Sequence, residues 1–263
     1  EMLAMQKEEA DLGFAKYVKS HYMEWMDAIS AGRRGKHTDV SCPFMSQDVF
    51  KGKVFPLIDK GEKVFMIVID NFRWDQWIML SKEIGGYFDI HEDMYMSILP
   101  TATQYARNAI FSGLMPNKIA QMFPELWVDE DEEEGKNLNE EPLIRTQIER
   151  FRRHDKFSYN KINDSDAASK LLQQFNALKE NDINVVVINF IDMLSHARTE
   201  SKMVRELANN ESAYRSITLS WLRHSVIADL FKMLADTDYT IVLTTDHGSI
   251  RCSKPLKIIG DRN

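Results

Sequence analysis

The hydrophobic positions in the first part of the chain repeat at helical spacing. Over residues 1–30 they recur every three to four positions, as on one helix face, at Leu12, Ala15, Val18, Tyr22, Trp25 and Ile29. A second helical pattern runs from about Ser46, its expected cap, to Lys60, where Pro56 should kink or divide the helix. We therefore predict a small α-helical module over residues 1–60.

From Gly61 onwards the apolar residues form continuous runs. Three runs rich in β-branched residues predict strands that are covered on both faces: KVFMIVID from Lys63, INVVVINFID from Ile183 and DYTIVLTTDHG from Asp238. YFDIHEDMYMSIL, from Tyr87, and LKIIG, from Leu256, are candidates for a fourth and a fifth strand.

Helical patterns separate these runs along the chain. Strands that alternate with helices predict an α/β fold with a mostly parallel sheet and helices on both faces, here over residues 61–263. The stretch 117–182 has a less regular pattern, so we expect a partly irregular segment there, with a lid over a site as one interpretation. Its acidic run from Asp129 to Gly135 is typical of a solvated loop.

Composition narrows the class of protein. Hydrophobic residues make up 44% of the chain and charged residues 28%, with no apolar run near the ~18 residues of a membrane span, which favours a soluble globular protein. A formal net charge of −7 argues against general duplex-DNA binding. The two cysteines, Cys42 and Cys252, form no CxxC pair, so a reducing cytoplasm is the expected location.

The strongest functional signal is an aspartate at the end of each predicted strand: Asp70, Asp192 and Asp246. Ligands of open α/β sheets bind beyond the carboxyl ends of the strands, so these side chains are expected to converge there. Aspartate after a strand is also a common turn or cap residue, which explains any one of them by itself. The coincidence of the three is what indicates a site.

Two histidines accompany these aspartates. His196 follows Asp192 by four residues, which places both on one helix face, and His247 directly follows Asp246 at a glycine turn. Mixed aspartate and histidine ligation suits zinc or a similar divalent ion. A histidine such as His224, in an amphipathic helix, is more simply read as a surface or core residue.

A threonine stands at the start of a predicted helix, in LPTATQYARNAIF. The hydroxyl of Thr103 would face the same crevice at a helix N-terminus, a position that favours anions. An ordinary helix cap is the alternative interpretation, and Thr101 is an equal candidate on the residues alone. Coordination to a metal would make such a hydroxyl a nucleophile.

The order of these motifs resembles the alkaline phosphatase superfamily. More specifically, VIDNFRWDQW followed by LPTATQYARNAIFSGLMP resembles the PglZ domain, and the resemblance extends from about Gly61 to the end. It implies an alkaline phosphatase-like sheet with two zinc ions. One zinc would be surrounded by Asp70, Thr103, Asp246 and His247, and the other bound by Asp192 and His196. The resemblance also implies that Thr103 is the nucleophile, because the family uses the second threonine of Pro-Thr-x-Thr.

The chain departs from the superfamily in one ligand. The second zinc normally takes a further histidine well downstream of the Asp-His-Gly motif, and no histidine follows His247. We expect the domain to be incomplete at its C-terminal end; the alternative is that one of the two ions is poorly held or absent.

The N-terminal stretch resembles the middle segment of response regulators that carry a PglZ domain and are linked to type IX secretion. This resemblance implies a receiver domain before Glu1 and a sensor histidine kinase that acts on it. It also implies a homodimer or a regulatory protein partner.

These inferences predict a two-zinc phosphodiesterase. The resemblance implies a nucleotide or a short oligonucleotide, linear or cyclic, as substrate. Three carboxylates and a threonine alkoxide balance the charge of two zinc ions. A diester would therefore bind with little additional positive charge, whereas a monoester dianion needs extra cations. Arg73 and Arg107 are candidate substrate-binding cations, with surface salt bridges as the alternative. A phosphomonoesterase and a non-catalytic regulatory module with a structural metal are the rival functions.

Overall fold

A computed structural model describes residues 2–32, 42–128 and 137–250 of the chain. Two compact units are present, Glu1–Phe44 and Met45–Asn263. The first contains one long helix, α1 (Met2–Ser30), as the helical spacing predicts. The rings of Tyr17, His21 and Trp25, at successive i,i+4 positions of this helix, lie 4.2 and 6.0 Å apart in sequence order. The predicted domain boundary near residue 60 stays a prediction.

The second unit is built on a four-stranded parallel sheet. Its strands are β1 (Lys63–Ile69), β2 (Phe157–Ile162), β3 (Ile183–Ile188) and β4 (Tyr239–Thr244), in the order β2-β3-β1-β4. Ile67 of β1 lies opposite Val186 of β3 on one side and Leu243 of β4 on the other. The two central strands, β1 and β3, are buried almost throughout, which explains why they read as continuous apolar runs. The predicted α/β fold class is confirmed.

Eleven helices accompany this sheet in the described part of the second unit. They are α2 (Phe55–Ile58), α3 (Trp74–Ile84), α4 (Thr103–Ser112), α5 (Pro116–Met122), α6 (Glu140–Arg150), α7 (Ser165–Gln173), α8 (Phe175–Leu178), α9 (Phe190–Glu200), α10 (Lys202–Leu207), α11 (Glu211–His224) and α12 (Val226–Ala235). Short 3₁₀ turns occupy Ser46–Asp48 and Pro124–Leu126, and a π-helical turn occupies Phe50–Val54. The predicted helix over residues 46–60 is thus divided, and Pro56 lies in the first turn of its last piece.

Helices cover both faces of the sheet. On one face, the rings of Phe65 and Phe175 lie 6.4 Å apart in a core shared by β1, β3, α3, α7, α8, α11 and α12. On the other face, the ring of Tyr159 in β2 lies 6.1 Å from that of Phe111 in α4. Helix α4 ends at Gly113, whose φ of +65° favours glycine and where a Cβ would come within 2.2 Å of the Gln147 side chain of α6.

The fourth predicted strand, over residues 87–99, is wrong. This fully described run makes only one isolated parallel bridge, between Met96 and Met45. Its side chains instead bind the backbone that follows β4: the Tyr95 hydroxyl donates to the Thr245 carbonyl, and Ser97 Oγ donates to the Asp246 carbonyl at 2.8 Å. The run therefore supports a loop of the site.

The stretch 117–182 is more regular than its pattern predicts, since it contains α5, α6, β2, α7 and α8. Strand β2 escapes sequence analysis because it is an edge strand with the half-buried, polar sequence FSYNKI. The candidate fifth strand from Leu256, the acidic run from Asp129 and Cys252 lie outside the described residues. Across residues 2–32, 42–128 and 137–250, no helix has the length and apolarity needed to span a membrane.

Candidate metal centre and nucleophile

The strands place the predicted acidic residues at one edge of the sheet. Asp70 directly follows β1, Asp246 lies two residues beyond β4, and Asp192 lies in the first turn of α9, just after β3. Asp70 and Asp246 are buried, with 3% and 0% of their surface exposed. One ligand atom from each of Asp70, Asp192 and His247 lies within 4.8 Å of the other two. The structure therefore brings together residues that lie up to 177 positions apart in the sequence.

Thr103 joins this cluster through its hydroxyl. It is the first residue of α4, and its Oγ1 lies 3.0 Å from His247 Nε2 and donates to Asp70 Oδ1 at 3.3 Å. Ala102 holds the N-cap position of α4, so neither threonine is the helix cap. Thr101 is exposed. The geometry separates the two threonines that the residues alone left equal.

Asn71 is a site residue that sequence reasoning missed. Its φ is +58°, a left-handed conformation that asparagine adopts more readily than most residues. Its backbone N–H donates to Asp246 Oδ1 at 3.3 Å and its Nδ2 donates to Asp192 Oδ1 at 3.2 Å. The signal in the sequence was an asparagine directly after the aspartate that ends a strand. Asn71 thus orients two of the three aspartates.

Arg107 lies beneath the site rather than on the surface. Its side chain is 1% exposed, and Nη1 donates to Asp70 Oδ2 at 2.7 Å and to Asn189 Oδ1 at 3.3 Å. Nη1 also lies 3.7 Å from Asp246 Oδ2, within ion-pair range. On its other side, Nε pairs with Glu140. These contacts are salt bridges with protein groups, as the sequence alternative for this arginine predicts, but they are buried and the predicted surface location is wrong.

Arg73 is also engaged by carboxylates. Its guanidinium pairs with Asp75 at 2.6 Å and with Glu211 at 2.5 Å, and it lies 5.2 Å from the centre of the Tyr214 ring. The side chain is 13% exposed. Contact of Arg73 or Arg107 with a substrate remains a prediction.

His196 lies at the margin of the site. Its Nε2 is 3.4 Å from Asp192 Oδ2, as the four-residue spacing predicts, but the side chain is 67% exposed. The predicted ligand sets paired Asp192 with His196, whereas the cluster of ligand atoms in the described residues joins Asp192 to Asp70 and His247. The division of these residues between two ions remains a prediction.

The electrostatics of the cluster favour a cation. Burial, together with the charge of Asp70, raises the pKa of Asp246 to about 7, although Arg107 and His247 oppose the shift. Asp246 Oδ2 accepts no hydrogen bond from the described part of the chain, and a buried polar atom in that state is destabilising. Carboxylate oxygens and an imidazole nitrogen are among the ligands that bind zinc in proteins. The residues therefore fit the metal that an alkaline phosphatase-like site implies.

A parallel sheet with a threonine, three aspartates and a histidine at its carboxyl edge defines an alkaline phosphatase-like domain. Residues 49–263 match the family model described as the BREX system PglZ alkaline phosphatase-like domain. The chain belongs to the PglZ family, and this membership indicates a phosphoester hydrolase. Residues 1–26 match a second model, the PorX response regulator linker domain. None of the curated proteins compared with the chain matches it.

The backbone conformation of Asn71 can be tested by two substitutions. Both Asn71→Gly and Asn71→Ala remove the amide bond to Asp192, but only alanine places a Cβ at a φ of +58°. We expect Asn71→Ala to be less stable than Asn71→Gly by about 1 kcal/mol, measured by urea unfolding. Equal stabilities would show that the left-handed conformation is not maintained in solution.

Proposed function

We propose that this chain is a zinc-dependent phosphodiesterase with Thr103 as its nucleophile. The observation that carries the proposal is the position of Thr103 Oγ1, 3.0 Å from His247 Nε2 and 3.3 Å from Asp70 Oδ1 at the start of α4. The family match supports the coarser class, a phosphoester hydrolase. Zinc, diester preference and the threonine nucleophile are the finer parts of the proposal.

The start of α4 is suited to hold a phosphate group. The positive end of the helix dipole and the N–H groups of the first turn favour an anion beside Thr103. Asp70, Asp192, Asp246 and His247 would hold the metal, and His196 is a further ligand candidate beside Asp192. When bound, zinc would lower the pKa of the hydroxyl and stabilise the charge on the leaving oxygen.

In the proposed reaction, Thr103 Oγ1 forms a bond to phosphorus while the bond from phosphorus to the leaving alcohol breaks. Asp70 Oδ1 accepts the hydrogen bond of the hydroxyl and orients it. The hydroxyl proton passes to water, and water supplies the proton that the leaving alcohol takes up. Water then attacks the phosphothreonine, which releases the phosphomonoester product and returns the hydroxyl to Thr103. The hydrogen bonds of Asn71 hold Asp192 and Asp246 in place throughout.

The charge around the site supports a diester rather than a monoester. A monoester dianion needs more positive charge than a diester, and the two candidate arginines already face carboxylates. Arg107 pairs with Asp70 and Glu140, and Arg73 pairs with Asp75 and Glu211. Neither therefore supplies a spare charge for a second phosphate oxygen.

A cavity lies at the same edge of the sheet, lined in part by residues that follow β2 and β3. It has a volume of about 450 Å³, and its lining includes Phe190 and Trp221, whose rings stack 3.9 Å apart. Its Asn163 accepts a hydrogen bond at 2.6 Å from Asn189, which also bonds to Arg107. We assign this cavity to part of the nucleotide or short oligonucleotide diester that the family resemblance implies.

The match of residues 1–26 to a response regulator linker domain supports a regulatory context. We propose that the phosphodiesterase is the effector domain of a cytoplasmic two-component response regulator linked to type IX secretion. A sensor histidine kinase would act on its receiver domain, and α1 would contribute to a homodimer or to binding of a regulatory protein.

The nucleophile is tested by comparing the two threonines of the Pro-Thr-x-Thr stretch. Thr103→Ala should reduce hydrolysis of bis(p-nitrophenyl) phosphate by about a thousandfold or more, because it removes the attacking oxygen. Zinc content, measured by elemental analysis, should remain close to that of the wild type. The matched control, Thr101→Ala, should keep nearly full activity. Unchanged hydrolysis by Thr103→Ala would reject the assignment.

Metal dependence is tested with His247→Ala and with chelation. Zinc content and diester hydrolysis should fall together in the variant, and added zinc should restore hydrolysis by the chelated wild type.

Substrate preference is tested by comparing two substrates. The kcat/KM for bis(p-nitrophenyl) phosphate should exceed that for p-nitrophenyl phosphate by at least about tenfold, or ~1.4 kcal/mol. A preference for the monoester would favour a phosphomonoesterase. A zinc-loaded but inert protein that still binds a partner would favour the regulatory module.

A further inference from the structure

A fully buried carboxylate lies on the far side of Arg107 from the site. Glu140, the first residue of α6, is 0% exposed and accepts hydrogen bonds from Arg107 Nε and from the Tyr159 hydroxyl. Lys161 Nζ lies 3.3 Å from its Oε2. Burial of an ionised group on this scale is destabilising unless charged and polar partners surround it, as they do here. The network therefore requires explanation beyond the packing of α6.

The network leads directly to the candidate nucleophile. Arg107 contacts Glu140 through Nε, and its Nη1 donates to Asp70 Oδ2 at 2.7 Å. The other oxygen of the same carboxylate, Asp70 Oδ1, accepts from Thr103 and lies 3.5 Å from His247 Nε2. A continuous series of contacts thus runs from Glu140 through Arg107 and Asp70 to Thr103. Holding Oδ2 leaves Oδ1 directed towards the reacting groups.

Charge decides what Glu140 contributes. Arg107 carries a full positive charge 2.7 Å from Asp70 and 3.7 Å from Asp246, the two most buried carboxylates of the metal centre. An unopposed guanidinium there would repel a divalent cation in a region of low dielectric. Glu140 offsets that charge from the side away from the site. It therefore allows Arg107 to fix Asp70 without weakening the affinity of the centre for metal.

We propose that Glu140 is a positioning residue which acts through Arg107 to orient Asp70 and to set the charge of the metal centre. The proposal rests on the metal centre of the proposed function, but it does not require that the centre hydrolyses a diester. It predicts the direction in which the zinc affinity changes, which an ordinary buried salt bridge does not. Removing negative charge at Glu140 should weaken zinc binding, and removing the positive charge of Lys161 should strengthen it.

The test is the zinc dissociation constant of the metal-free chain, measured by competition with a chromogenic chelator. Glu140→Gln keeps the shape of the side chain and should weaken zinc binding by about 10- to 100-fold, the usual effect of changing a residue behind a metal ligand. Lys161→Met should tighten binding by about two- to fivefold, the effect of one partly exposed charge. The neighbouring Glu141→Gln, which alters an exposed pair with Arg145, should have no effect.

Circular dichroism and thermal unfolding without metal show whether each variant folds. If Glu140→Gln folds, shifts of opposite sign in the two variants support the proposal, and any other combination overturns it. If Glu140→Gln does not fold, Lys161→Met decides alone, and unchanged or weaker zinc binding overturns the proposal. A wild-type chain that binds no zinc rejects the metal centre itself. Opposite shifts in a chain that hydrolyses no diester would reject only the phosphodiesterase.

Discussion

The site depends on a buried guanidinium that holds two mutually repelling carboxylates. Asp70 and Asp246 come from the ends of neighbouring strands, and both are almost completely buried. Burial, and then the like charge of Asp70, raise the pKa of Asp246. Arg107 lies between them and Glu140, and so offsets part of this repulsion. A bound divalent cation would offset the rest of this repulsion.

The remaining features arrange reactive groups around that ion-pair network. Helix α4 supplies both Arg107, on a buried turn, and Thr103, at its N-terminus. The chain turns sharply after β1 through the left-handed Asn71, which reaches Asp192 and Asp246. The loop after β4 is held by residues 95–97 and by Thr245, whose Oγ1 donates to the His247 carbonyl at 2.7 Å. Hydrogen bonds between separate segments of the chain therefore fix the relative positions of these groups.

The sheet and the aspartates were predictable because they follow local rules. Continuous apolar runs identified β1, β3 and β4, and the aspartates that follow them converge because parallel strands end at one edge. Strand β2 was missed because an edge strand needs no continuous apolar run. Glu140 was missed because its partner Arg107 is 33 positions away, and only the packing of α4 against α6 brings the two together. Helical spacing placed His196 beside Asp192, but it carried no information about the exposure of the ring.

The central claim is that the Thr103 oxygen bonds to phosphorus during turnover. The most direct measurement is to quench the zinc-loaded chain in acid during hydrolysis of a diester and to analyse its peptides by mass spectrometry. One phosphoryl-bearing group is expected on the peptide that contains Thr103, with fragmentation placing it on Thr103 rather than on Thr101. Turnover with no covalent adduct at any early time, or an adduct on another residue, would contradict it.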